Sequence, residues 1–299
     1  MSVAIRAEGL TKRYGSTVAL DGLDLEVRAG EVFGYLGPNG AGKSTTIALL
    51  LGMVRPTAGS ASILGLDVRT DAVALHRRIA YVPSVADLWP GLTAAETLRL
   101  LGNLHGDVDT GYRDELAARF ELPLDRKVRA LSHGNKQKVP LVAAFAANAD
   151  VLLLDEPTTG LDPLMEQVFR DCVRAARDRG RTVFLSSHIL SEVEAVCDRV
   201  AMLRAGRLVE CGPLDVLRGY AALQVRAVLA GAVPDVTGVA GVHDVRVDGQ
   251  VLECSVTGSV QPLLTALAGS VVEHLTTREP SLEELFLSRY GDVPAPVTR

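Results

Sequence analysis

Residues 37–45 read Gly37-Pro38-Asn39-Gly40-Ala41-Gly42-Lys43-Ser44-Thr45, and this stretch is the clearest indication of the chain's architecture. It fits the pattern G-x-x-x-x-G-K-[ST], whose glycines let the backbone curl so that successive N–H groups point at phosphate oxygens. The apolar run 32–36 before it predicts a buried strand, and the apolar segment 45–53 after it predicts a helix. This strand–loop–helix context is the one that a phosphate-binding loop requires.

The chemistry of this loop predicts a site for a nucleoside triphosphate. Lys43 is expected to reach the β- and γ-phosphates, and the Ser44 hydroxyl is expected to bind Mg²⁺. The helix that follows adds the partial positive charge of its N-terminus. The nucleotide-binding residues expected from the loop are Gly37, Pro38, Asn39, Gly40, Ala41, Gly42, Lys43, Ser44 and Thr45. The loop alone does not separate transport ATPases from GTPases, kinases and helicases.

Acidic residues and a histidine follow two further predicted strands. The run Val151-Leu-Leu-Leu-Asp155-Glu156 is a buried strand that ends in two acids, and His188 follows the predicted strand 182–187. The carboxyl ends of parallel strands meet at one edge of a sheet, beside a bound nucleotide. We therefore expect Asp155 to hold Mg²⁺ and Glu156 to orient the attacking water, with His188 near the γ-phosphate and Glu156.

Taken together, these motifs resemble the nucleotide-binding subunits of ATP-binding-cassette (ABC) transporters, over about residues 1–215. The signature motif of that family, usually LSGGQ, reads Leu131-Ser132-His133-Gly134-Asn135 here, and Leu131 lies 24 residues before Asp155. The resemblance implies that this motif binds the γ-phosphate of ATP held by a partner subunit, so that two chains form a head-to-tail dimer around two ATP molecules. Further nucleotide-binding residues implied by the resemblance are Tyr14 (adenine stacking), Ser132, His133, Gly134 and Asp162 (D-loop).

Three positions depart from the family pattern. His133 replaces a signature glycine, and is either a tolerated variant or an additional donor near phosphate. Ser84 stands where the family has a glutamine that senses Mg²⁺ and the membrane partner. Serine is too short to replace that glutamine, and Asp87 is a nearby candidate substitute. Ser84 is kept as a candidate metal ligand. Pro140 lies inside the signature helix and predicts a bend or a late helix start, because proline lacks an N–H group.

The predicted fold class is α/β, a P-loop NTPase with a RecA-like core, an antiparallel β subdomain and a helical insert, plus a small C-terminal α+β domain. We assign residues 1–219 to the nucleotide-binding domain, with the helical subdomain at about 84–149. Within it, Thr93-Ala-Ala-Glu96 is a capping box and 114–122 an amphipathic segment. Residues 220–292, with a final helix from Ser281, form the accessory domain.

The remaining residues, 293–299, are predicted to be a flexible tail.

The composition of the chain argues against some classes of protein. The chain is 47% apolar and 22% charged. Its net charge of −5 argues against a dedicated nucleic-acid binder. Its apolar runs are far shorter than the roughly 20 residues of a membrane-spanning helix, so membrane association requires a partner. The four cysteines lack metal-ligand spacing and are expected to be reduced thiols.

The resemblance implies an ATPase subunit that powers a separate multi-span membrane permease from the cytoplasmic face of the cell membrane. The sequence variants are similar to those of bacterial multidrug and polyketide-antibiotic exporters. Residues 84–104 are expected to face the permease, with Trp89 either a core residue or an exposed anchor. The alternative is a soluble ABC ATPase of DNA repair or translation, disfavoured by the single cassette and the absence of a coiled coil. A regulator without turnover is disfavoured by Glu156 and His188.

Overall fold

A computed structural model describes residues 2–214 and 223–278 of the chain. The chain divides into two compact units, residues 1–212 and 213–299. The assignment of domains with a boundary at residue 219 stays a prediction, because residues 215–222 lie outside the described ranges. The predicted final helix from Ser281 and the predicted tail also lie outside them.

A six-stranded sheet forms the centre of the first unit. Its strands are β3 (Val32–Leu36), β6 (Ile79–Val82), β7 (Val151–Asp155), β8 (Thr182–Ser187), β9 (Arg199–Arg204) and β10 (Arg207–Pro213). The order is β10-β9-β3-β8-β7-β6, and β3 pairs in parallel with β8 and β9, as β7 does with β6 and β8. Strands β3, β7 and β8 are buried throughout, which explains their continuous apolar sequences.

The parallel arrangement brings the predicted functional residues to one edge of this sheet. The phosphate-binding loop follows β3, the acidic pair stands at the end of β7, and His188 follows β8. The helices around this sheet are α1 (Lys43–Leu50), α2 (Ala72–His76), α6 (Pro163–Asp178) and α7 (Leu190–Glu194). The prediction of an α/β core with a P-loop is confirmed.

An antiparallel sheet completes the core, as predicted. Its strands, in the order β2-β1-β4-β5, are β1 (Val3–Tyr14), β2 (Thr17–Arg28), β4 (Ala58–Ile63) and β5 (Leu66–Asp67). Alternate residues of β1 and β2 face the core: Ile5, Ala7 and Leu25 are buried, whereas Arg6 and Glu26 are exposed and form an ion pair.

The helical insert consists of α3 (Ala94–His105), α4 (Thr110–Arg119), a 3₁₀ turn (Val128–Ala130) and α5 (His133–Ala146). The capping box is present: Thr93 Oγ1 accepts from the N–H of Glu96 at 3.1 Å, and Glu96 Oε2 accepts from the N–H of Thr93 at 2.7 Å. Helix α4 begins four residues earlier than the predicted segment, because Asp109 caps it.

Helix α5 begins at His133, so the late start expected from Pro140 does not occur. Ser132 caps the helix, and residues 137–142 are all buried, so tertiary packing outweighs the single backbone hydrogen bond that Pro140 cannot make. None of the helices in the described ranges is both long enough and apolar enough to cross a lipid bilayer.

The second unit has the α+β composition that the sequence predicts. Its sheet, in the order β12-β13-β11-β14, consists of β11 (Leu223–Leu229), β12 (Val242–Asp248), β13 (Val251–Val256) and β14 (Val272–Arg278). Helix α8 (Gln261–Leu267) contributes Leu263 and Leu267 to a core shared with Val225, Leu252 and Cys254.

Candidate functional site

The loop at 37–45 owes its shape to glycines. Gly40 and Gly42 have φ angles of 79° and 110°, in the left-handed region that favours glycine. A Cβ atom at Gly42 would lie 2.5 Å from the carbonyl oxygen of Ala19, so the β1–β2 hairpin and the loop approach each other as backbones. The loop therefore packs closely against Ala19 immediately before the first turn of α1.

The ammonium group of Lys43 is buried within this loop. Its Nζ donates to the carbonyl oxygens of Gly37 at 2.7 Å and Pro38 at 3.3 Å, and lies 3.3 Å from Oε1 of Glu156. Lys43 is only 5% exposed, and burying a cation is expensive unless such oxygens surround it. The lysine is thus held where phosphate oxygens can replace these partners.

Glu156 connects the loop to the end of β8. Its Oε1 lies 3.3 Å from Lys43 Nζ and 3.3 Å from Nδ1 of His188. Glu156 also has a φ of 46°, a left-handed conformation that costs a non-glycine residue about 1 kcal/mol or more. Its N–H donates to the carbonyl oxygen of Ser186 at 3.1 Å, which holds this conformation. The sequence did not predict this strained turn, which places the carboxylate between two nitrogen atoms.

Asp155 is 2% exposed and has a specific partner: its Oδ1 accepts from the hydroxyl of Ser186 at 2.5 Å. Burial, with a smaller effect from the charge of Asp155, raises the pKa of Tyr81 to about 12, so this phenol stays neutral beside the carboxylate. Sequence reasoning missed Ser186 and Tyr81. A polar residue at the end of the apolar strand β8, directly beside Asp155 in the parallel register, is the signal that indicates Ser186.

The oxygen donors fit Mg²⁺, which prefers oxygen ligands and commonly takes one or two from protein and the rest from phosphates and water. The buried carboxylate of Asp155 and the exposed hydroxyl of Ser44 are the groups that would hold it. Ser44 lines a pocket together with Glu156, so a triphosphate in this pocket would complete the coordination. The full lining of the pocket is Ala19, Asn39, Gly40, Gly42, Lys43, Ser44, Thr45 and Glu156.

Several predicted residues do not line this pocket, among them Tyr14 and Ser84. Tyr14 lies at the end of β1, is 50% exposed, and has Lys12 Nζ 4.8 Å from its ring centroid. Ser84 is partly exposed in the loop after β6. The roles of Tyr14 in adenine stacking and of Ser84 in metal binding stay predictions.

The signature motif lies at the start of α5, packed on the D-loop. Ser132 Oγ accepts from the N–H of Asn135 at 3.2 Å and so caps the helix. A Cβ atom at Gly134 would overlap the carbonyl oxygen of Gly160, and one at Gly160 would lie 2.6 Å from Cδ2 of His133. The His133 ring therefore lies against Gly160 of the same chain.

Asp162, at the end of this D-loop, caps α6. Its Oδ1 accepts from the N–H groups of Leu164 and Met165, both at 3.0 Å. The carboxylate is exposed, so the cap fixes its position and leaves one face in solvent. The nucleotide-binding roles of Ser132, His133, Gly134 and Asp162 stay predictions.

Comparison with known proteins identifies the family. Residues 20–159 match the ABC transporter family. The chain is 34% identical to the Nod factor export ATP-binding protein I of Mesorhizobium japonicum, over 97% of this chain and 87% of the relative. It is 38% identical to the daunorubicin resistance ATP-binding protein DrrA3 of Streptomyces coeruleorubidus, over 97% and 96% of the two chains.

Solved structures give the same result. An ATP-binding subunit of an ABC transporter is 32% identical, with a TM-score of 0.67 over 72% of this chain and 92% of the other. The dimeric, post-hydrolysis cassette MJ0796 bound to ADP and Pi is 25% identical, with a TM-score of 0.64 over 70% and 98%. The residues that match the family, 20–159, include the loop and the acidic pair. The chain belongs to the ABC transporter family, as one of its ATP-hydrolysing, ATP-binding subunits.

Proposed function

We propose that this ATPase binds Mg-ATP between the loop of one copy and the signature helix of a second copy, and that ATP-driven closure powers a separate multi-span permease at the cytoplasmic face of the cell membrane. The observation that carries the proposal is the position of Glu156, whose Oε1 lies 3.3 Å from both Lys43 Nζ and His188 Nδ1. A carboxylate placed there lies beside the γ-phosphate that Lys43 would bind.

The roles of the residues follow from this arrangement. Phosphate oxygens would replace the carbonyl oxygens and Glu156 as the hydrogen-bond partners of Lys43. The carboxylate of Glu156 would then be free to orient water for in-line attack. His188 would hold the carboxylate from its other side. When bound, Mg²⁺ would neutralise charge on the phosphates, held by Ser44 and Asp155. From the second copy, Ser132 and the N–H groups that follow it would donate to the γ-phosphate.

The proposed cargo class is drugs or antibiotics moved outward. Support comes from the names of two relatives, one of a daunorubicin resistance protein and one of a Nod factor exporter. The proposed permease-facing surface lies after β6, where Val85 is 67% exposed and Trp89 is 46% exposed. Of these two side chains, tryptophan is the type that commonly anchors a partner protein.

The dimer is tested with the full chain carrying Glu156→Gln, which should accumulate as an ATP-bound dimer in size-exclusion chromatography. Adding Ser132→Arg should prevent dimer formation while ATP binding to the monomer persists, because the arginine occupies the partner's phosphate site. Adding Ser60→Arg, an exposed serine of β4, is the matched control and should leave the dimer intact. A Ser132→Arg chain that still dimerises with ATP contradicts the head-to-tail arrangement.

The partner class is tested by affinity purification of the chain from detergent-solubilised membranes. The proposal expects a multi-span permease that remains bound after washing and stimulates ATP hydrolysis when reconstituted. Recovery with ribosomes or DNA, and never with a membrane protein, would instead favour a soluble ABC ATPase of DNA repair or translation.

A further inference from the structure

The connection between β6 and α3, residues 83–92, is attached to the chain that flanks the signature motif. We name it the Trp89 segment. At its far end, the carbonyl oxygen of Leu92 accepts from the N–H of Val128 at 2.8 Å, and that of Pro90 accepts from the N–H of Arg129 at 3.2 Å. Val128 and Arg129 belong to the 3₁₀ turn that leads into the signature. This end of the segment is therefore bonded to the residues just before Ser132.

The near end of the Trp89 segment is held by a buried side chain from the signature helix. Gln137 of α5 has no exposed surface, and its Nε2 donates to the carbonyl oxygen of Pro83 at 3.0 Å. Its Oε1 is also buried, yet has no hydrogen-bond partner in the part of the chain that the structure describes. Leaving such an oxygen unpaired costs about 1–3 kcal/mol, so the position is unfavourable for stability alone.

We infer that Gln137 is a positioning residue that couples the signature helix to the Trp89 segment, so that ATP binding at the signature changes the surroundings of Trp89. The inference rests on the proposed ATP site, because it takes the start of α5 as a phosphate-binding element. Ser84, the residue after Pro83, has a side chain too short to connect the Trp89 segment to the signature helix. The side-chain amide of Gln137, on α5, makes this connection instead.

The mechanical basis is the rigidity of α5. Ser132 and Gln137 lie five residues apart along one helix segment, so a displacement of the helix start carries Gln137 with it. Through its hydrogen bond, Gln137 then displaces Pro83. The hydrogen bonds of the 3₁₀ turn displace Pro90 and Leu92 in the same way. The unpaired Oε1 offers an acceptor for a second arrangement of the segment, as a two-state element requires.

Trp89 is the only tryptophan of the chain, so its fluorescence reports on this segment directly. With the full chain, a non-hydrolysable ATP analogue and Mg²⁺, we expect the Trp89 emission to shift on binding. Gln137→Met keeps the side-chain length and removes the amide. We expect this variant to bind the analogue within about threefold of the unmutated affinity, measured by calorimetry, while the emission shift is lost.

Two further variants complete the test. Gln137→Asn retains a buried amide but shortens the side chain by one methylene, so this variant must also lose the emission shift. It replaces the methionine variant in the test if that variant does not fold. Thr97→Val is the matched control: it removes a buried hydroxyl that donates to the carbonyl oxygen of Thr93 at 2.8 Å in α3, and should keep the shift.

The outcomes separate this inference from the proposed function. A full emission shift in a folded Gln137 variant that forms the analogue-bound dimer overturns the inference, as does an unmutated analogue-bound dimer, identified by size-exclusion chromatography, with no shift. An unmutated chain that fails to bind the analogue, or binds it without dimerising, refutes the proposed ATP site instead.

Discussion

Lys43 and Glu156 form an ion pair, with Nζ 3.3 Å from Oε1, and it joins the phosphate-binding loop to the acidic end of β7. Both groups are shielded, with Lys43 5% and Glu156 20% exposed at their side chains. An incoming phosphate competes with the carboxylate for the same ammonium group. Under the proposed function, substrate binding at Lys43 would therefore release Glu156 through this one contact.

Replacing Lys43 with methionine should weaken ATP binding. Charge-assisted hydrogen bonds contribute about 1.5–3 kcal/mol, so we expect a 10- to 100-fold loss of affinity, measured by calorimetry. Lys127→Met is the control, because Lys127 is an exposed lysine of the helical insert and should leave the affinity unchanged. Equal affinities for the Lys43 and Lys127 variants would show that the loop does not bind the phosphates.

Replacing Ser186 with alanine should raise the Mg²⁺ concentration needed for half-maximal ATP hydrolysis. The hydroxyl donates to Asp155 Oδ1 and orients that carboxylate, and loss of such a partner typically weakens metal binding about 10- to 100-fold. The measurement is a Mg²⁺ titration of the initial rate at saturating ATP. If the titration is unchanged while the variant folds, Asp155 does not depend on Ser186 for its role.

Replacing Gly134 with alanine should push the start of α5 away from Gly160, because the added Cβ overlaps the Gly160 carbonyl oxygen. We expect a destabilisation of about 1–3 kcal/mol in urea unfolding. ATP turnover should also fall by about tenfold or more, because the signature is displaced. Gly102→Ala in α3 is the control: its nearest neighbour would be Val108 Cγ2 at 3.5 Å. Helix propensity should make that variant up to about 1 kcal/mol more stable. The same loss at both positions would argue against a specific contact at Gly134.

Burial raises the pKa of the Cys172 thiol to about 11. At pH values between the pKa of the unfolded thiol and that of the folded thiol, the folded chain keeps a proton that the unfolded chain has lost. The free energy of unfolding therefore falls as the pH rises through this range. From about pH 8 to about pH 10.5 this contributes a loss on the order of 2 kcal/mol. Cys172→Ala should show a shallower decline in urea unfolding with reductant present, and parallel declines would contradict the assignment.

Much of this site could be predicted from local sequence. The loop at 37–45, the strand that ends in Asp155 and the capping box at Thr93 depend on neighbouring residues only, and each is present. Trp89, for which the sequence left two readings, is half exposed. The parallel register then brings the strand ends together without further information.

The parts that the sequence did not predict depend on contacts between distant segments. The positive φ of Glu156 is held by Ser186, 30 residues further along the chain. The bond from Gln137 to Pro83 spans 54 residues. Tertiary packing outweighs local propensity at such positions.

The central claim is that Glu156 is the group that directs water at the γ-phosphate, and Glu156→Gln tests it most directly. The amide keeps the size of the side chain and removes its charge, so ATP binding should persist. Turnover, measured as phosphate release with Mg-ATP, should fall by about 10²- to 10⁴-fold, with an ATP-bound dimer accumulating. Turnover near the unmutated rate would contradict this account of the site.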